Sequence, residues 1–140
     1  MKKISIISVT LLLLLSVFTV DAVKTQKTTT VTNAAKVEVY YFHFTRRCFT
    51  CQAVETETQK IIATLYPTQY KAGKITFKSI NLAEKESKAM AEKCKAEGQA
   101  LLIISGNKRI DLTDTGFMYA KSNPEKLKAE LKKAIDPLLK

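Results

Sequence analysis

The sequence is constrained most by an apolar stretch that runs almost directly into a pair of closely spaced cysteines. Residues 37–44 are a nearly continuous run of β-branched and aromatic side chains, typical of a central strand buried on both faces of a sheet. Cys48 and Cys51 follow, where the pattern changes to a helical period. Thiols at this spacing lie about one helical turn apart and can form a small disulfide ring or share a metal ion. The sequence therefore predicts a chemical site at a strand-to-helix junction.

Cys48 is expected at the N-terminus of that helix, where backbone N–H groups and the helix dipole favour the thiolate. Arg46 and Arg47 directly precede it and could add to this effect. We expect Cys48 to be the nucleophile that attacks a partner disulfide, and Cys51 to resolve the mixed disulfide. Two other interpretations of the pair stay open at this point, a structural disulfide and a metal site.

The remaining periodicity predicts the element order β-α-β-α-β-β-α. Strands beyond the first are expected at 74–82, 100–104 and 109–113, and helices at 48–66, 83–97 and from Ser122 to the C-terminal end. Because helices join the first three strands, the crossover rule predicts that these run parallel, with the last two forming an antiparallel hairpin. The predicted fold class is α/β, a mixed four-stranded sheet with helices on both faces. Cys48 then follows the carboxyl end of a parallel strand, where sites on open α/β sheets usually lie.

The N-terminus has the features of an export signal. A positively charged start precedes an apolar run at 4–20, and Val20 and Ala22 fit a signal-peptidase site. The run is marginal for a membrane span of about 20 residues, so an uncleaved anchor is the alternative, and only then is membrane contact expected. We divide the chain into a signal peptide at 1–22, a Thr- and Lys-rich linker or frayed strand at 23–36, and one domain at 37–140. The expected location is the periplasm or the extracellular space.

Composition excludes several classes of function. The net charge is +10, but the lysines are spread among glutamates with no basic cluster, so nucleic-acid binding is not expected. Three cysteines are too few for a disulfide-rich scaffold, and the close pair points to function instead. The chain has no glycine-rich phosphate loop and no Gly-x-Ser-x-Gly motif, and no cofactor is predicted. We expect a monomer.

The element order, with Cys-x-x-Cys opening the helix after the central strand, resembles the thioredoxin-like superfamily. The chain also resembles a small bacterial family named as a nitrophenyl-compound nitroreductase subunit of thioredoxin-like type. The residues that carry this narrower likeness are Tyr41-Phe42-His43, the run from Arg46 to Glu55, Ile80-Asn81-Leu82, Asp111-Leu112-Thr113 and Gly116-Phe117. The resemblance implies a thioredoxin-like fold over 37–140 and a thiol–disulfide oxidoreductase acting on a protein thiol or disulfide, or a subunit of a reductase.

The chain departs from thioredoxin at the site itself. Phe49 and Thr50 lie between the cysteines, where thioredoxin has Gly-Pro, and residues 98–101 lack the proline that faces the thiols in that fold. Gln99 lies in this stretch and is predicted to support the site. These departures favour a second hypothesis, a non-catalytic redox partner or adaptor. Metal or metalloid binding by the thiols is a third.

The only histidine and the third cysteine complete the candidates. His43 precedes Cys48 by five residues, and is interpreted either as a packed, hydrogen-bonded core residue or as a proton carrier supporting the thiols. Cys94 is interpreted as a small buried residue, with a reactive third thiol as the alternative. His43, Cys48, Cys51 and Cys94 could together bind zinc or a soft metal, but their spacing does not support this, and no metal ligand is assigned.

Overall fold

The computed structural model describes residues 36–140, so the predicted signal peptide and nearly all of the predicted linker lie outside the described residues. Strands β1–β4 are, in chain order, Val37–His43, Ile75–Asn81, Ala100–Ser105 and Lys108–Asp111. Helices α1–α5 are Phe49–Leu65, Pro67–Lys71, Ser87–Cys94, Thr113–Tyr119 and Pro124–Ile135, and the turn Asp136–Leu138 follows. Within the described range, no helix combines the length and apolar character needed to cross a bilayer.

The four strands form one mixed sheet in the order β2-β1-β3-β4. β1 is parallel to β2 and antiparallel to β3, and β3 and β4 form the predicted antiparallel hairpin. The prediction that the first three strands are all parallel is therefore wrong. Helix length explains the difference. At about 1.5 Å per residue, the 17 residues of α1 return the chain along the whole of a seven-residue strand, whereas the eight residues of α3 cover about half that distance.

Alternate side chains of β1 build two separate cores. Val39 and Tyr41 face the larger one, where α1, α4 and α5 cover the sheet. Tyr40 and Phe42 face the smaller one, where they pack with Cys94 of α3. Because adjacent strand residues point to opposite faces, a strand buried on both faces needs helices on both sides. The structure thus has the predicted α/β class, a mixed four-stranded sheet with helices on both faces.

Three helices differ from the prediction. α2 is not predicted, because Pro67 is expected only to end α1, whereas a proline can also occupy the first position of a new helix. α3 ends at Cys94 because Lys95 adopts a left-handed conformation (φ 52°), so the helix terminates before Gly98 rather than at it. α4 was not predicted at all, because a glycine in its middle disfavours a helix. Gly116 packs closely there, since a Cβ atom would lie 3.1 Å from a side-chain atom of Leu101 and 3.2 Å from one of Val54, so a larger residue would require these side chains to shift. α4 thus lies directly against the sheet and α1.

Leu131→Ala should lower the free energy of unfolding by about 2–5 kcal/mol, because truncating a fully buried leucine removes apolar contacts and leaves a cavity. Denaturant unfolding followed by circular dichroism measures the change. Lys133→Ala, an exposed position on the same helix, is the matched control and should change stability by less than about 0.5 kcal/mol. Equal effects of the two substitutions would contradict the packing of α5 described above.

Candidate functional site

The strand-to-helix junction positions the first cysteine as the N-cap of α1. β1 ends at His43, and Cys48 has extended backbone angles (φ −75°, ψ 167°) immediately before the helix begins. Its Sγ atom accepts a hydrogen bond of 3.3 Å from the backbone N–H of Cys51. N–H groups in the first turn of a helix have no partner within the helix, and a side chain of the capping residue commonly accepts one of them. Here the capping acceptor is a sulfur atom.

The two sulfurs lie in different environments. Cys48 is exposed, whereas Cys51 is only 4% exposed, and both are free thiols. The pKa of Cys48 is lowered, first by a hydrogen bond from the Cys51 thiol and then by the backbone N–H groups of Cys51 and Thr50. An exposed thiol with a lowered pKa has the properties of an attacking nucleophile, while a buried thiol is suited to an intramolecular step.

Gln99 contacts the buried sulfur. It directly precedes β3, which pairs with β1, so its side chain reaches the sheet edge at which α1 begins. Its amide Nε2 donates a hydrogen bond of 3.7 Å to Cys51 Sγ. The structure thus places Gln99, where the sequence lacks the expected proline, against the sulfur of Cys51.

His43 lies at the end of β1 and is 8% exposed. Its Nδ1 atom lies 3.0 Å from the carbonyl oxygen of Phe44, and its ring is 5.7 Å from the ring of Tyr41. The interpretation of His43 as a packed, hydrogen-bonded residue is confirmed. Its role as a proton carrier stays a prediction.

The two arginines have different surroundings. Arg47 forms an ion pair and hydrogen bond with Glu55 of α1, and Arg46 is exposed. Within residues 36–140, neither arginine donates a hydrogen bond to Cys48. The hydrogen bonds of the first helical turn are thus the main cause of the lowered Cys48 pKa, and an arginine contribution stays a prediction.

Tyr41 is a site residue that the sequence analysis missed. Its side chain is fully buried, and its hydroxyl group has no hydrogen-bond partner in the described part of the chain. Burial raises the Tyr41 pKa, the Cys51 thiol raises it further, and Arg47 acts in the opposite direction. Side chains two positions apart on a strand lie on the same face, so Tyr41 and His43 share one face of β1. This alternation is visible in the sequence and could have identified Tyr41 as a neighbour of the site.

Cys94 lies away from the other two thiols. It is 2% exposed and packs with Tyr40, Phe42 and Leu102 on the face of the sheet opposite α1, which confirms its interpretation as a small buried residue. Burial raises the Cys94 pKa. The fold therefore does not bring Cys94 to the Cys48–Cys51 pair, and the described region contains no cluster of three or more His, Cys, Asp or Glu side chains arranged to hold a metal ion.

No protein-family model matches this chain, and no curated protein does. Among solved structures, the germline-specific thioredoxin Deadhead of Drosophila melanogaster is 20% identical, with a TM-score of 0.44 over 71% of this chain and 81% of that one. A malarial protein is also 20% identical, with a TM-score of 0.44 over 70% of this chain and 96% of that one. The assignment of this chain to the α/β class rests on the order and directions of its own strands and not on these two structures. The resemblance to the nitroreductase-subunit family stays a prediction.

Cys51→Ala should raise the pKa of Cys48, because the Cys51 thiol donates the first of the hydrogen bonds that lower it. The rate of Cys48 alkylation by iodoacetamide against pH, followed by peptide mass spectrometry on reduced protein, should therefore shift to higher pH. Cys51→Ser retains a donor and should restore most of the original curve. Cys94→Ala, on the other face of the sheet, is the control and should leave the curve in place. An unmoved curve in Cys51→Ala would contradict this assignment of the hydrogen bonds.

Proposed function

We propose that this protein is an exported thiol–disulfide redox protein that reacts through Cys48 and Cys51. The observation that carries the proposal is the asymmetry of the pair, an exposed sulfur with a lowered pKa at a helix N-terminus and a buried sulfur one turn later. The thioredoxin-like fold supports it by placing the pair directly after the central strand. A protein disulfide or dithiol is the proposed partner.

The proposed reaction balances as two successive exchanges. The Cys48 thiolate attacks a partner disulfide, a Cys48–partner bond forms, and the first partner sulfur leaves as a thiolate and takes up a proton. Cys51 then loses its proton and attacks Cys48 Sγ, so that the Cys48–Cys51 bond forms and the second partner sulfur leaves. Two electrons and two protons pass from the dithiol to the partner. The same steps in reverse oxidise a partner dithiol.

A second candidate is an adaptor that binds a partner enzyme, such as a reductase, through the same surface. The observation that favours it is the exposure of two large aromatic side chains on either side of Cys48, Phe44 at 47% and Phe49 at 82%. Phe49 directly follows Cys48, so a protein that binds at this surface would contact the Phe49 ring. Exposed aromatic side chains are enriched where proteins bind one another.

Wild-type protein incubated in defined glutathione buffers should interconvert reversibly between a dithiol and a Cys48–Cys51 disulfide, as measured by mass spectrometry after alkylation. It should also accelerate the reduction of insulin disulfides by dithiothreitol. Cys48→Ser should abolish this acceleration and Cys51→Ser should accumulate the mixed disulfide, whereas Cys94→Ser, a buried position on the opposite face, should retain activity. A pair that cycles without exchanging with any protein disulfide would favour the adaptor. A disulfide that opens only on unfolding would contradict both.

Export is proposed from the charged start, the apolar run at 4–20 and the small residue Ala22. Protein expressed from its full sequence in a bacterium with a periplasm should be recovered in the periplasmic fraction. N-terminal sequencing should then begin at Val23, because cleavage is expected after Ala22. Full-length protein in the membrane fraction would show that the segment is an uncleaved anchor.

A further inference from the structure

Tyr41 has a buried hydroxyl group that makes no hydrogen bond to any residue at 36–140. An unpaired polar atom in a protein interior costs free energy, and such atoms are rare in folded proteins. Tyr41 projects from β1 into the core covered by α1, the helix that carries Cys51. Leu101, the partner of Tyr41 in the pairing of β1 with β3, faces the same core, and Gln99, two residues before it, donates a hydrogen bond to Cys51 Sγ. The Tyr41 side chain therefore lies on the face of the sheet at which Cys51 is buried, and the Cys51 thiol raises the Tyr41 pKa.

We propose that the Tyr41 hydroxyl donates a hydrogen bond to the sulfur of Cys51 when the Cys48–Cys51 disulfide opens. This inference rests on the proposed function. In the opening step a partner thiolate forms a bond with Cys48 Sγ, the Cys48–Cys51 bond breaks, and its electron pair remains on the Cys51 sulfur. That sulfur is 4% exposed, so solvent reaches it poorly and protein groups must stabilise its charge.

The protein supplies two donors to this sulfur. The Gln99 amide already lies 3.7 Å from it, and the Tyr41 hydroxyl is the second. A neutral thiol is a weak acceptor and a thiolate is a strong one. With all three cysteines as free thiols, the interaction of the hydroxyl with the Cys51 thiol is the weakest of the causes that raise the Tyr41 pKa, and its geometry falls short of a hydrogen bond. The same interaction becomes a strong hydrogen bond when charge develops on the sulfur.

Tyr41 acts as a donor and not as a base. Its pKa is raised by burial, so the phenol keeps its proton throughout the neutral pH range, and the Cys51 thiolate is protonated afterwards by solvent. The charged and titratable groups facing the hydroxyl are Cys51, Cys48 and Arg47, and His43 lies against the ring. Arg47 opposes the rise in the Tyr41 pKa, but its charge is shared with Glu55.

The test compares Tyr41→Phe with Tyr40→Phe. Both substitutions remove one hydroxyl from a buried tyrosine of β1, but Tyr40 faces the opposite core. The oxidised proteins are mixed with excess dithiothreitol at fixed thiolate concentration, and the rate of opening of the Cys48–Cys51 disulfide is measured. Tyr41→Phe should open about tenfold more slowly than wild type, the lower end of the effect of one hydrogen bond to a charged group. Tyr40→Phe should open at the wild-type rate.

Opening of Tyr41→Phe at the wild-type rate would overturn the inference and leave the proposed function intact. A wild-type pair that never opens and closes reversibly would overturn both.

A second measurement uses only the wild-type protein and therefore does not depend on the folding of a variant. Protein labelled with ¹³C at the tyrosine Cζ is titrated with alkali in its dithiol and disulfide forms. The Tyr41 signal should titrate together with Cys51 in the dithiol form only, and the Tyr40 signal should not. A Tyr41 signal that is the same in both forms would also overturn the inference.

Discussion

The first turn of α1 contains backbone N–H groups that no carbonyl within the helix can accept, and the sulfur of Cys48 accepts one of them. This contact fixes the start of the helix, and it sets the position of the Cys48 sulfur beyond the end of β1. It also lowers the pKa of the thiol, because hydrogen bonds from the first turn favour the charged sulfur. If the helix began one residue earlier or later, the Cys48 sulfur would no longer accept this hydrogen bond. The same interaction therefore determines both the start of the helix and the lowered pKa of the thiol.

Burial places Cys48 and Cys51 in unlike environments. Cys48 is exposed because the capping position lies outside the helix, whereas Cys51 lies one turn later on the helix face that packs against the sheet. The same face carries Val54, Ile61 and Ile62, so the core that stabilises α1 also removes the second sulfur from solvent. In the proposed reaction, charge that develops on Cys51 is stabilised by neighbouring protein groups. The side chains available for this come from β1 and from the segment preceding β3.

Much of this arrangement follows from local sequence patterns. The apolar run at 37–44, the helical stripe after it and Asn123 before Pro124 predict β1, α1 and the start of α5 within one or two residues, because each depends on nearby residues alone. The direction of β3 does not follow, because it depends on the length of α3. α4 does not follow either, because Gly116 is a poor helix former, and its close packing against Leu101 and Val54 is a tertiary contact that the local pattern does not reveal.

The sequence by itself determined that two cysteines lie at a strand-to-helix junction in an α/β domain, since period and spacing are local properties. The sequence also indicates Gln99 as a supporting residue and Cys94 as a buried one, but only the tertiary structure shows which groups contact the two sulfurs. Gln99 reaches Cys51 across 48 positions of the chain because β3 pairs with β1, and Cys94 is excluded because α3 covers the other face. Tyr41 lies in the core beneath α1, the helix that carries Cys51, because the alternation of β1 directs its side chain to that face. Spacing thus identifies the two sulfurs, whereas strand pairing and packing select the groups around them.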